Sequence, residues 1–120
     1  MVLVIGGVSQ GKTDYVREKY NLEPVNCTPV QGLQARVINN YQELIRNLVE
    51  AGEDVKEYTQ RLVEVNPRAI IICDEVGMGI VPVDKDERIW REAVGRSLKI
   101  IAEASERVVR IYAGLEVVIK

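Results

Sequence analysis

Short continuous apolar runs and longer stretches with helical spacing alternate along this chain. Residues 2–5 and 69–73 are continuous, partly β-branched runs, which are typical of parallel strands covered on both faces. Two further runs, at 108–112 and 117–119, are separated by Gly114 and predict a pair of closing strands.

Helical patterns fill most of the chain between these runs. Residues 14–20 contain neither glycine nor proline and predict a short first helix. Apolar positions at three- and four-residue spacing predict one helix over 35–50 and another over 55–65. The last helix begins at the capping-box pattern of residues 84–87. Its buried face is predicted to contain Trp90, Val94, Leu98 and Ile101.

Two segments lack helical spacing. Prolines at 24 and 29 favour extended backbone, so residues 25–30 are predicted to form a short edge strand. Residues 76–83 contain two glycines and a proline and are predicted to be a loop. The resulting order predicts an α/β fold, with residues 1–120 forming one domain around a mostly parallel sheet flanked by helices.

A glycine-rich loop lies directly between the first predicted strand and the first helix. It consists of Gly6, Gly7, Val8, Ser9, Gln10, Gly11, Lys12 and Thr13, which match the phosphate-loop pattern G-x-x-x-x-G-K-[ST]. Glycines let backbone N–H groups turn toward phosphate oxygens, and the helix N-terminus adds positive potential. We expect Lys12 to contact the β and γ phosphates and the Thr13 hydroxyl to bind Mg²⁺.

The loop therefore predicts an ATP or GTP site with Mg²⁺ in a P-loop NTPase-like domain. The competing interpretation is a glycine turn with a solvated lysine. That interpretation does not account for the strand, loop and helix occurring in this order.

Asp74 and Glu75 follow the second strong apolar run. In a parallel sheet both strands end at the same edge, so one of these carboxylates is expected near Lys12. The pair is a catalytic candidate together with Lys12, and Asp74 is also a candidate Mg²⁺ ligand beside Thr13. Two alternatives stay open: either carboxylate is the active one, or the pair only ends the strand in solvent.

Composition narrows the class of protein. The 16 basic and 18 acidic residues give a net charge of -2, which argues against a nucleic-acid partner bound by a broad basic face. No segment approaches 18 consecutive apolar residues, so no membrane span is expected and a cytoplasmic location is predicted. Cys27 and Cys73 are predicted to be reduced and buried, and without histidine a zinc cluster is not expected.

Several segments resemble a known family. The run Glu-Val-Gly-Met-Gly-Ile-Val-Pro at 75–82, together with the loop at 6–13, resembles the adenosylcobinamide kinase/adenosylcobinamide-phosphate guanylyltransferase family of cobalamin synthesis. The similarity continues through 90–96 and 113–120. This chain looks like a shortened member, with fewer residues between 20 and 37.

The resemblance implies a P-loop enzyme, often a trimer, that phosphorylates a corrinoid hydroxyl with ATP or GTP. The family then transfers GMP to that phosphate through a guanylylated histidine, and this chain contains no histidine. The expectation is therefore a Mg²⁺-dependent, adenosylcobinamide kinase-like phosphotransferase without the guanylyltransferase step. The alternatives are a non-catalytic or regulatory nucleotide-binding relative and an unrelated small P-loop phosphotransferase or NTPase.

Overall fold

A six-stranded sheet with helices on both faces organises the chain. The structure, a computed structural model, describes residues 1–76 and 84–120. The strands within these residues are β1 (Val2–Gly6), β2 (Val25–Asn26), β3 (Val37–Asn39), β4 (Ile70–Asp74), β5 (Arg107–Tyr112) and β6 (Leu115–Val118). The helices are α1 (Lys12–Tyr20), α2 (Pro29–Gly32), α3 (Tyr41–Glu50), α4 (Val55–Val65) and α5 (Lys85–Ala104).

The strand order is β2-β3-β4-β1-β5-β6. All neighbouring pairs are parallel except β5 and β6, which form an antiparallel hairpin. This confirms the predicted α/β class with a mostly parallel sheet. The two strong apolar runs, β1 and β4, are direct neighbours, and Gly6 is in register with Asp74. The carboxyl ends of these strands therefore lie side by side at one edge of the sheet.

Alternate residues of the central strands face two separate cores. On one face, Leu3 and Ile71 pack with buried residues of α3, α4 and α5. On the other face, Val4 and Ile72 pack with Val16 of α1. Because both faces are covered, β1 and residues 70–73 of β4 are continuously apolar, which is why their sequences show no alternation.

The single helix predicted over residues 35–50 is wrong in its first part. Residues Val37–Asn39 form β3, paired with β4 on one side and β2 on the other, and the helix begins only at Tyr41. Asn40 separates the two elements with φ 50° and ψ 49°, a left-handed conformation that asparagine tolerates better than most residues. Val37 and Ile38 fit the helical stripe by spacing, but the sheet buries them.

The edge-strand prediction for residues 25–30 is only partly correct. The strand covers Val25–Asn26 alone, and Thr28 caps the short helix α2 with a reciprocal capping box to Gln31. Pro29 takes the first helical position, where its missing N–H is not needed.

The remaining helices agree with their predicted positions. Asp84 caps α5, although its carboxylate accepts from the Asp86 N–H rather than from residue 87. Trp90, Val94 and Ile101 are buried as predicted, whereas Leu98 is partly buried and Ser97 is buried beside it. The loop predicted over 76–83 lies outside the described residues from 77 onward.

Both cysteines are free thiols, but only one is fully buried. Cys73 lies in the core, whereas Cys27 is partly exposed, so its predicted burial is incomplete. Within residues 1–76 and 84–120, no helix is long and apolar enough to cross a membrane.

Candidate functional site

The phosphate-loop sequence joins the end of β1 to the start of α1, as its motif predicts. Ser9 and Gly11 both have positive φ, of 60° and 92°, and the residues between β1 and α1 form a tight turn. Successive backbone N–H groups in such a turn create a concave surface that binds anions. Val8 stands at the tip of the loop and is 73% exposed.

The hairpin of β5 and β6 supports this loop. The Gln10 carboxamide oxygen accepts from the Ala113 N–H at 2.7 Å, and the Gln10 carbonyl accepts from the Gly114 N–H at 2.9 Å. A Cβ on Gly6 would lie only 2.6 Å from the Ile111 carbonyl oxygen, so any larger residue would collide with main-chain atoms of β5. The loop is therefore held on a rigid element at both ends.

Lys12 is buried and points across the loop. Its side chain is 7% exposed, and its Nζ donates to the Gly7 carbonyl at 2.6 Å. The same Nζ lies 2.8 Å from Oδ1 of Asp74. The buried ammonium is thus held between a carbonyl and a carboxylate, both of which satisfy its charge and its hydrogen-bonding capacity.

The structure separates the two carboxylates that follow the second apolar run. Asp74 contacts Lys12, while Glu75 forms a two-point ion pair with Arg110, with Nε–Oε1 2.7 Å and Nη2–Oε2 3.1 Å. The Glu75 N–H also donates to the Gly6 carbonyl at 3.0 Å, which ties the end of β4 to β1. Lys12 and Asp74 are thus brought together, and Glu75 is not.

Glu75 lines a separate groove of about 420 Å³ between the sheet and α5. Arg110 and Arg91 are the charged residues that share it with Glu75, and the rest of its lining is apolar, from β1, α5, Val76 and Ile119. Charge at the rim of an apolar groove is a common arrangement in ligand sites.

Sequence reasoning missed one residue at the centre of the site. Gln42, in the first turn of α3, is 4% exposed and makes two hydrogen bonds to Asp74. A glutamine in an amphipathic helix gives no signal of its own. The nearest sequence clue is the asparagine pair 39–40, a turn signal that places α3 at the carboxyl edge of the sheet.

The residues present fit a nucleotide with Mg²⁺. Lys12 and Asp74 supply one cation and one carboxylate at the mouth of an anion-binding turn, and Thr13, partly buried, is the second residue of α1. Among residues 1–76 and 84–120, no group of three His, Cys, Asp or Glu side chains is arranged to hold a metal by itself.

Comparison with known proteins gives a family. A family model described as cobinamide kinase / cobinamide phosphate guanyltransferase matches residues 26–119. The match covers well over half of the chain, includes Asp74 and Glu75, and begins after the phosphate loop. No curated protein matches the chain significantly.

Proposed function

This chain belongs to the cobinamide kinase / cobinamide phosphate guanyltransferase family, and on that premise we propose that it is a kinase that phosphorylates adenosylcobinamide with ATP or GTP. The observation that carries the proposal is the 2.8 Å contact between Lys12 and Asp74 beside the phosphate loop. Membership of the family is the reason for naming adenosylcobinamide as the phosphate acceptor. The phosphate loop is the reason for naming ATP or GTP as the phosphoryl donor.

Each residue of the loop has a physical task in this proposal. The N–H groups of residues 7–13 surround the phosphates, and the ammonium of Lys12 stabilises negative charge on the β and γ phosphates. The Thr13 hydroxyl and the Asp74 carboxylate hold Mg²⁺, which neutralises charge on the phosphate oxygens when it is bound. We assign the metal to Asp74 rather than Glu75 because Asp74 lies beside Lys12 of the phosphate loop, whereas the ion pair with Arg110 holds Glu75 in a separate groove.

Phosphoryl transfer needs positioning more than covalent chemistry. The oxygen of the acceptor hydroxyl forms a bond to the γ-phosphorus and releases its proton to solvent, while the bond from that phosphorus to the β-γ bridging oxygen breaks and the nucleoside diphosphate leaves with the electron pair. Aligned binding of the two substrates can supply much of the acceleration. In this proposal Lys12, Thr13 and Asp74 act by positioning and charge stabilisation, without a covalent enzyme intermediate.

Guanylyl transfer by a histidine route is not part of the proposal. The family intermediate that the resemblance implies is a guanylylated histidine, and this chain has none. We therefore propose that the chain performs only the kinase half of the family's chemistry.

A direct assay tests the proposal. The protein is incubated with Mg²⁺, adenosylcobinamide and ATP or GTP labelled at the γ position, and the corrinoid is separated and counted. We expect labelled corrinoid with the wild type and with Lys99→Ala, an exposed lysine of α5, but not with Lys12→Ala. GTP labelled at the α position should leave neither corrinoid nor protein labelled.

Two results would contradict the proposal in different ways. Nucleotide binding without labelled corrinoid would remove the kinase and leave a non-catalytic nucleotide-binding relative. Absence of nucleotide binding would remove the phosphate-site assignment as well.

We also propose that the chain forms a homo-oligomer, and the trimer implied by the resemblance is the expected state. The edge strand β6 supports association, because its four residues are exposed and include Leu115, Val117 and Val118. Exposed apolar edge strands tend to pair with another chain. Light scattering after gel filtration should give a mass well above 13.5 kDa, and Val117→Lys should lower it. A monomeric wild type would contradict this.

A further inference from the structure

The side chain of Gln42 forms two hydrogen bonds with Asp74. Its Oε1 accepts from the Asp74 N–H at 3.0 Å, and its Nε2 donates to Asp74 Oδ2 at 3.1 Å. Together the two hydrogen bonds close a ring. Because the two residues are 32 positions apart, this ring joins α3 to the end of β4. A buried carboxamide satisfied in this way has one orientation.

The hydrogen bonds from Gln42 fix which carboxylate oxygen of Asp74 faces the phosphate loop. Oδ2 is occupied by Gln42, and Oδ1 lies 2.8 Å from Lys12. Both oxygens therefore have a partner, but the Asp74 side chain is 22% exposed, so the carboxylate is still open to solvent and ligand. Without Gln42 the carboxylate could rotate about its χ2 bond, because terminal torsions of this kind are broad.

Gln42 is itself held from two sides. Its main-chain oxygen accepts from Trp90 Nε1 at 2.8 Å, and Trp90 is buried beneath the Arg46 guanidinium, 3.8 Å from the ring centre. Its Nε2 also lies 3.3 Å from Asn40 Oδ1, and Asn40 is bonded to Asn26 at 3.0 Å. The main chain of Gln42 is therefore held from α5, and its carboxamide is held by Asn40, the residue before α3.

A neutral amide is well suited to this position. A lysine or arginine there would compete with Mg²⁺ for Asp74, and a second carboxylate would repel it. Groups that hold a metal ligand in this way typically change metal affinity 10- to 100-fold when they are removed.

We propose that Gln42 is a positioning residue that orients Asp74 toward the Mg²⁺ of the bound nucleotide. The inference rests on the proposed function, which places Asp74 in the Mg²⁺ shell. Gln42 does not touch the substrate, and its effect is confined to metal-dependent binding.

The test uses Gln42→Met, which keeps the length of the side chain and removes both hydrogen bonds. Nucleotide affinity is measured by calorimetry in EDTA and across a Mg²⁺ titration, and Mn²⁺ binding with ATP is followed by electron paramagnetic resonance. We expect the affinity in EDTA to stay within about 2-fold and the half-saturating metal concentration to rise about 10-fold. Gln60→Met, at an exposed position of α4, is the matched control and should change neither.

Asp74→Asn separates the inference from the function on which it rests. If Asp74→Asn raises the metal requirement and Gln42→Met does not, Gln42 has no positioning role and the proposed function stands. If Asp74→Asn leaves the metal requirement unchanged, Asp74 is not a metal ligand, and both that assignment and the role of Gln42 fail, while the labelled-corrinoid assay still decides the kinase activity. Should Gln42→Met not fold, Gln42→Asn replaces it, since the shorter amide cannot make both bonds and carries the same expectation.

Discussion

Gly6 offers the sharpest structural test of the phosphate loop. In Gly6→Ala the new methyl group would lie 2.6 Å from the Ile111 carbonyl oxygen, and Cβ contacts under 3.0 Å are essentially never seen. The Ile111 oxygen belongs to the main chain of β5, and a Cβ is fixed directly to the main chain of β1, so neither atom can rotate away. The end of β1 must move from β5, and overpacking of this kind costs about 1–3 kcal/mol.

Gly95→Ala is the matched control with the opposite expected sign. Gly95 lies within α5, where an added Cβ meets nothing within 4 Å, and alanine is favoured over glycine inside a helix by about 1 kcal/mol. Thermal and urea unfolding should therefore show Gly6→Ala less stable and Gly95→Ala more stable than the wild type. Calorimetry should show weaker triphosphate binding only for Gly6→Ala.

The reasoning fails if Gly6→Ala unfolds at the wild-type temperature and binds nucleotide with unchanged affinity. That result would mean that the end of β1 can shift without disturbing the loop. A destabilised Gly95→Ala would instead show that the space beside α5 is not open.

Three further predictions concern the core beneath the site. Burial raises the pKa of Tyr41 and of Cys73 to about 12, from 10.0 and 9.0, so the fold favours their protonated forms. The stability gained by keeping these two groups protonated should be complete below pH 9 and lost as the pH rises from 9 to 12. The urea concentration at half-unfolding, measured across that range, should fall accordingly. Ser97→Ala removes the shared partner of the Tyr41 and Thr59 hydroxyls, each at 2.7 Å, and should lower the free energy of unfolding by about 1–3 kcal/mol. Trp90, the one tryptophan, donates to the Gln42 carbonyl, so its fluorescence should change saturably with Mg²⁺-nucleotide; a flat titration despite calorimetric binding would contradict the coupling.

The elements set by local signals could be predicted from the sequence. β1, the glycine loop and α1 follow one another within 20 residues, and each carries its own pattern of apolar run, motif or cap. A carboxylate near Lys12 was predictable because parallel strands end at one edge, but the sequence left open whether it would be Asp74 or Glu75. These inferences need no knowledge of distant partners.

The missed features depend on contacts between distant parts of the chain. β3 has three residues, too few to show a period, and only its place between β2 and β4 makes it a strand. Gln42 is bonded to Asp74, which is 32 residues away in the sequence, and Arg110 forms an ion pair with Glu75, which is 35 residues away. Such pairings are fixed by tertiary structure and have no local signature.

The central claim is that residues 6–13 bind a nucleoside triphosphate through Lys12. The most direct measurement is the affinity for ATP and GTP with Mg²⁺, by calorimetry, for the wild type, Lys12→Ala and Lys99→Ala. A charge-assisted hydrogen bond contributes about 1.5–3 kcal/mol, so Lys12→Ala should weaken binding roughly 10- to 100-fold while Lys99→Ala binds as the wild type does. Equal affinities for all three proteins would contradict the account.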